Sequence, residues 1–145
     1  MSLFTSLSVS ASGMSAQRAR AELLVENIAN SETTRTPEGG PYQRKDVVFQ
    51  QENVSSPFAG VLADQMNSGS VGVGVSDIVV DQSEPEMRYL PEHPDAGPDG
   101  YVAFPRFNPA EEMVNLMGAS NGYQANVAAM TSIKEMLQQS ISLLK

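Results

Sequence analysis

The sequence predicts a mainly α-helical chain with a small β and irregular insert, and three observations carry that prediction. All nine prolines fall between Pro37 and Pro109, so both ends are free of the residue that breaks helices. Both ends also space their apolar residues in alternating steps of three and four, the rhythm of about 3.5 residues that runs along helices packed at a seam. The charge divides in the same places. Residues 31–107 hold 12 acidic and 5 basic side chains, a net of -7, whereas the two ends are close to neutral. The expected divisions are an N-terminal helix over 1–30, an acidic Pro/Gly-rich middle over 31–107 and a C-terminal helix over 108–145.

In the first division the seam is Phe4, Leu7, Ala11, Met14, Arg18, Ala21, Val25 and Ile28, with Arg18 alone not apolar. Ser2 suits the N-cap and Asn30 the C-terminal cap, where a left-handed residue is tolerated. The middle opens with a polar loop, 31–46, turned by Gly39-Gly40-Pro41. Val47-Val48-Phe49 is a short strand candidate, and residues 53–70 read as loop. Val71, Val73, Val75, Ile78, Val79 and Val80 read as a second strand. Residues 84–100, with four prolines, read as an extended, turn-punctuated segment, and Tyr101–Phe104 as a last short strand.

The C-terminal division begins with Asn108 as N-cap, Pro109 at the first helical position and Glu111 where a capping box wants a carboxylate. Its seam is Met113, Leu116, Ser120, Tyr123, Val127, Met130, Lys134, Leu137, Ile141 and Leu144, interrupted by Ser120 and Lys134. Gly118 and Gly122 each cost a helix interior about 1 kcal/mol against Ala and mark a close backbone approach or a bend. The middle offers few apolar runs to cover two such long helices. Neighbouring chains are therefore expected to cover the faces left open, with folding coupled to assembly.

Composition excludes several functions. The chain has 145 residues, a formal charge of -8, no Cys and one His. That leaves no disulfide, no thiolate metal site, no cysteine nucleophile and no site of several imidazoles. The acidic balance lacks the basic footprint of a nucleic-acid binder. No run approaches the roughly 18 apolar residues of a membrane span, so no direct membrane insertion is expected. The first positive charge is Arg18 and no solid apolar run stands near the start, so no conventional secretory signal is expected.

The local motifs do not build an active site. His93-Pro94-Asp95 lies in a Pro-rich acidic stretch and reads as a turn. Asp95–Gly100 resembles a calcium loop, but Arg106 stands where the bidentate Glu belongs. Gly72-Val73-Gly74 lacks the Gly-Lys-Ser/Thr of a phosphate loop, and Glu84/Glu86 and Glu111/Glu112 are ordinary for an acidic surface and a helix start. No catalytic, cofactor-binding or metal-binding residue is expected.

Three ordered motifs resemble a known family. Asn27-Ile28-Ala29-Asn30-Ser31-Glu32-Thr33 matches the N-I-A-N-x-x-T signature of bacterial flagellar rod and hook proteins, at the end of the first helix. Glu112-Met113-Val114 and Tyr123-Gln124-Ala125-Asn126 look like the matching C-terminal signature. His93-Pro94-Asp95-Ala96 with Gly100-Tyr101-Val102 is similar to a segment of a proximal-rod member. Where relatives usually carry Arg-Ala before the tyrosine, this chain has Asn121-Gly122.

The resemblance implies an axial structural subunit of the flagellar basal body, not an enzyme. Its implied partners are copies of itself, other rod proteins and the flagellar type III export apparatus. It implies export without a cleaved signal and polymerisation in the periplasm around the export channel. It also implies that the terminal helices pack as an antiparallel coiled coil. Packing and assembly then fall to Phe4, Leu7, Met14, Val25, Ile28, Met113, Leu116, Tyr123, Val127, Met130, Leu137 and Ile141. The motif residues Asn27, Ala29, Asn30, Thr33, Gln124, Ala125 and Asn126 take structural roles. A soluble helical interaction or chaperone-type module is the alternative, and would give a monomer or closed dimer.

Overall fold

The computed structural model describes residues 3–53 and 71–143, with the side chains of Phe4 and Asn53 outside the described set. The expectations for Ser2, for residues 54–70, for Leu144 and for the Phe4 side chain lie outside those residues. The described elements are helix α1 (Leu3–Ala29), strands β1 (Lys45–Asn53), β2 (Val71–Val80), β3 (Glu86–Tyr89) and β4 (Tyr101–Phe104), and helix α2 (Pro109–Ser142). The fold is thus mainly helical with a small antiparallel β insert. At about 1.5 Å per residue the helices are about 40 and 51 Å long.

Each inner helix end is closed by a short side chain. Asn108 caps α2 in an extended conformation, its side chain accepting from the Ala110 N–H at 3.0 Å, with Pro109 following. At the end of α1 both the backbone N–H and the side-chain amide of Asn30 donate to the Glu26 carbonyl, at 3.1 and 2.9 Å. Thr33 then donates its hydroxyl to Asn30 Oδ1 at 3.1 Å, and its carbonyl accepts from the Tyr42 N–H at 3.0 Å. The loop between them turns at Gly39 and Gly40, whose φ of 92° and 79° a side chain would oppose.

The helices run antiparallel. Asn27 of α1 meets Glu112 of α2, Gln17 lies against Gly122, and Gly13 lies against Asn126. From Gly13 to Asn27 and from Asn126 back to Glu112 is the same number of residues, so the pair keeps one register over about 21 Å. The buried residues of the two helices combine small and polar side chains with two large apolar ones, Leu24 and Ile133. Ser10, Ala16, Leu24 and Asn27 are buried on α1, and Glu112, Ala119 and Ile133 on α2.

Two two-stranded antiparallel sheets form the insert, β1 with β2 and β3 with β4. β1 is longer than Val47–Phe49 because β2 supplies partners as far as Asn53, even for the polar Gln50, Gln51 and Glu52. A bulge follows Val48, where Ser76 is the extra residue and donates its hydroxyl to the Val48 carbonyl at 3.1 Å. Strand β3 lies in the segment expected to be merely extended. Its four residues gain their hydrogen bonds from β4, a partner that no local pattern reveals. Val102, 1% exposed, turns one face of this small sheet inward.

Candidate functional site

Asn27 lies at the last turn of α1 and is fully buried. Its amide uses every hydrogen-bonding position. Nδ2 donates to the Lys45 carbonyl at 2.8 Å and to Glu112 Oε2 at 3.0 Å. Oδ1 accepts from the Tyr42 hydroxyl at 2.9 Å and from the Lys45 N–H at 3.0 Å. The side chain therefore treats Lys45 as a neighbouring strand would, and fixes where β1 begins.

Glu112, 3% exposed, is the partner that carries charge into this junction. Its other oxygen accepts from Arg44 Nε at 2.8 Å, and Arg44 reaches Asp46 at 3.3 Å. The hydrogen bond that Arg44 donates to Glu112 holds the pKa of its guanidinium above the ordinary value. Lys45 Nζ pairs with Glu26 at 2.6 Å and lies 5.6 Å from the centre of the Tyr42 ring. Burial first, then the negative charge of Glu26, pushes the Tyr42 phenol up to about 12. Phe107 packs edge-on to Tyr42 at 6.5 Å. One knot of side chains thereby joins the end of α1, the start of β1 and the start of α2.

A second tether lies nearby. Asp95 accepts from the Thr34 hydroxyl at 2.7 Å and stands 3.8 Å from Arg35, while its N–H donates to His93 Nδ1 at 3.1 Å. The His93 ring packs edge-on to Phe104 at 6.2 Å. These contacts tie the loop after α1 to the loop between β3 and β4. A wide cleft of about 840 Å³ opens beside the junction, lined by Arg35, Tyr42, Arg44, Val80, Arg106 and Phe107 among others. Among the described residues no group of three His, Asp or Glu side chains is placed to hold a metal ion, and no helix is long and apolar enough to cross a membrane.

The seam predicted from spacing lies beside the observed helix contact, about one residue and therefore about 100° around each helix. On α1, Leu7, Met14 and Ile28 are half-buried and Val25 is 52% exposed. On α2, Leu116, Met130 and Leu137 are half-buried, while Met113, Tyr123, Val127 and Ile141 are 40–59% exposed. Both rotations carry the two rows to the same side of the antiparallel pair. Arg18 of one row accordingly feels the Tyr123 hydroxyl of the other, although its main partner is Glu22 at 2.9 Å.

The physical reason for the offset is size. Gly13 and Gly122 let the helices approach closely, with the Asn126 amide held over Gly13 by its bond to the Gly122 carbonyl at 2.9 Å. Of the motif residues, Asn27, Asn30, Thr33 and Asn126 make these bonds, whereas Ala29, Gln124 and Ala125 face outward. Spacing gave no sign of Tyr42, Arg44 or Lys45 as members of the junction. The one available signal was Glu112, a carboxylate adjoining the seam at a helix start.

Comparison with known proteins follows the same lines. Residues 100–143 match the family model described as flagellar basal body rod FlgEFG protein C-terminal. The flagellar basal-body rod protein FlgC of Borreliella burgdorferi is 38% identical over 152 aligned residues, covering 100% of this chain and 99% of the relative. That of Bacillus subtilis strain 168 is 41% identical over 150, covering 99% of both. The FlgC of Escherichia coli O157:H7 is 33% identical over 143, covering 99% of this chain and 98% of its own length.

Proposed function

This chain belongs to the family of flagellar basal-body rod proteins FlgC, and from that premise we propose how it is built into the rod. It is a structural subunit of the basal-body rod and not an enzyme, and it assembles with other flagellar basal-body components. Polymerisation runs through the apolar stripe of the terminal helices, which copies of this chain and other rod proteins cover. In the assembled rod the helices pack with coiled-coil spacing around the export channel. The chain reaches the periplasm through the flagellar type III export apparatus, without a cleaved signal.

One observation supports this reading above the others. Val25, Met113, Tyr123, Val127 and Ile141 are 40–59% exposed on two helices whose own contact uses a different stripe. A contiguous apolar surface of that kind marks an interaction face. Replacing Val127 and Leu137 with Asp tests it. Neither side chain is fully buried, so the variant is expected to keep its helical circular dichroism and its export while losing motility. Normal motility in a strain carrying only the double variant would sink the proposal.

A further inference from the structure

Helices α1 and α2 carry one contact pattern twice. The same step of 109 residues leads from Ser10 to Ala119, from Gly13 to Gly122, from Gln17 to Asn126 and from Leu24 to Ile133. Ser10, Leu24, Ala119 and Ile133 are all buried. Of the other buried helix residues, Asn27 and Glu112 belong to the junction. Ala16 lies one turn from Ser12, whose hydroxyl oxygen accepts from the Val73 N–H at 3.1 Å. An antiparallel pair related in this way has a two-fold axis across its middle. What α1 offers α2 at one level, α2 offers α1 one turn away.

The pattern turns on glycine and amide. Gly13-Met14-Ser15-Ala16-Gln17 and Gly122-Tyr123-Gln124-Ala125-Asn126 each place an amide side chain one turn after a glycine. The Asn126 amide lies over Gly13, where a Cβ would meet it at 3.0–3.2 Å. Gln17 lies over Gly122, where a Cβ would meet it at 3.2–3.4 Å. A slip of one heptad, which the 3-4 rhythm of the apolar rows tolerates, would take both amides off the glycines. Asn126 would then stand level with Ser6 or Arg20, and Gln17 with Asn115 or Ala129. A slip of four residues would set Gln17 level with Asn126 in one direction and Gly13 level with Gly122 in the other. Gln17 also buries an Oε1 without a hydrogen-bond partner among the described residues, so its amide is kept at a cost to stability.

We infer that this reciprocal glycine–amide lock selects the register in which α1 and α2 pair, with Gln17 and Asn126 as its positioning residues. Asn27 and Glu112 hold one end of the pair, and the lock holds its middle. Register matters beyond the contact itself. The apolar rows of both helices lie on one side of the pair, and a heptad slip would displace one row along the other by about 10 Å. The lock is a contact within the chain, and it stands whether or not that side is an assembly surface.

Such a lock is indifferent to which helix supplies the amide, and exchange tests it. In the full-length chain, Gln17→Gly with Gly122→Gln reverses one half, and Gly13→Asn with Asn126→Gly reverses the other. Urea denaturation of each double variant and its two singles gives a double-mutant cycle, in whose coupling the helix propensities cancel. The folding equilibrium constant of each double should exceed, by about tenfold, the value its singles predict together. Ser15→Gln with Gln124→Ser, an exposed pair at the level between the two halves, is the control and should be additive. The chain has no cysteine, so spin labels on introduced thiols read the register directly. Ser15→Cys is labelled with Val114→Cys or with Lys134→Cys, which lie equally far on either side of its level. A slip lengthens one distance and shortens the other, and both should stay unchanged in the exchanged variants. An additive cycle in either exchange that folds, opposite displacements of the two distances, or failure of both exchanged variants to fold overturns the inference.

Discussion

Asn27 and Glu112 are 85 residues apart in the chain, yet their side chains are joined at 3.0 Å and both are buried. The bond sets the angle at which α1 ends, α2 begins and β1 leaves the helix pair. Its strength comes from its surroundings. Asn27 has no unused hydrogen-bonding capacity, and Glu112 shares its second oxygen with Arg44.

Asn27→Ala is therefore expected to cost about 3–4 kcal/mol, because it strands the Tyr42 hydroxyl, the Glu112 oxygen and both backbone groups of Lys45. Urea denaturation at neutral pH measures the loss. Asn27→Asp separates geometry from charge, since it keeps the shape but sets a second carboxylate against Glu112. In the same urea assay at neutral pH its loss should equal or exceed that of Asn27→Ala.

Tyr42 predicts a defined alkaline behaviour. Its phenol is raised from 10.0 to about 12 by burial and by Glu26. Between those values the unfolded chain has released a proton that the folded chain retains. Rising pH thus favours unfolding, by about 2–3 kcal/mol once both states are ionised. Stability should be insensitive to this group below about pH 10 and decline between about 10 and 12. Tyr42→Phe should remove that component, and tyrosinate absorbance should follow the same curve.

The glycines of the helix pair should respond differently to a methyl group. A Cβ at Gly118 meets nothing within 4 Å, so Gly118→Ala should stabilise α2 by about 0.5–1 kcal/mol. A Cβ at Gly13 would lie 3.0–3.2 Å from the Asn126 amide, so Gly13→Ala must displace it. The expected result there is no net gain, and loss of the bond from Asn126 to the Gly122 carbonyl. Thermal unfolding of the two variants side by side checks the contrast.

Gln17 carries a buried Oε1 without a hydrogen-bond partner among the described residues. Gln17→Leu keeps the volume and removes the unsatisfied oxygen, so it should stabilise the isolated helix pair by about 1 kcal/mol. A loss of stability would mean that the oxygen is satisfied in solution by water.

Much of the helical architecture was legible locally. Proline placement, the capping residues Asn108 and Pro109 and the valine run of β2 act within a few residues of themselves, and their neighbours in sequence suffice to read them. Strand β3 was not legible, because Glu86–Tyr89 owes its conformation to Tyr101–Phe104 across an intervening loop. Nor were Tyr42, Arg44 and Lys45, whose roles exist only where α1, β1 and α2 converge.

The sequence by itself determined that two long helices carry apolar rows of coiled-coil spacing around an acidic, proline-rich middle. Only the tertiary structure decided which face of each helix meets the other. Periodicity records that an apolar row exists, but not what lies against it. Within the chain, close approach at Gly13 and Gly122 and the fully bonded Asn27 amide select a contact rich in small and polar residues, with Leu24 and Ile133 buried among them. The apolar rows are turned about 100° away and stay half-buried to exposed beside that contact.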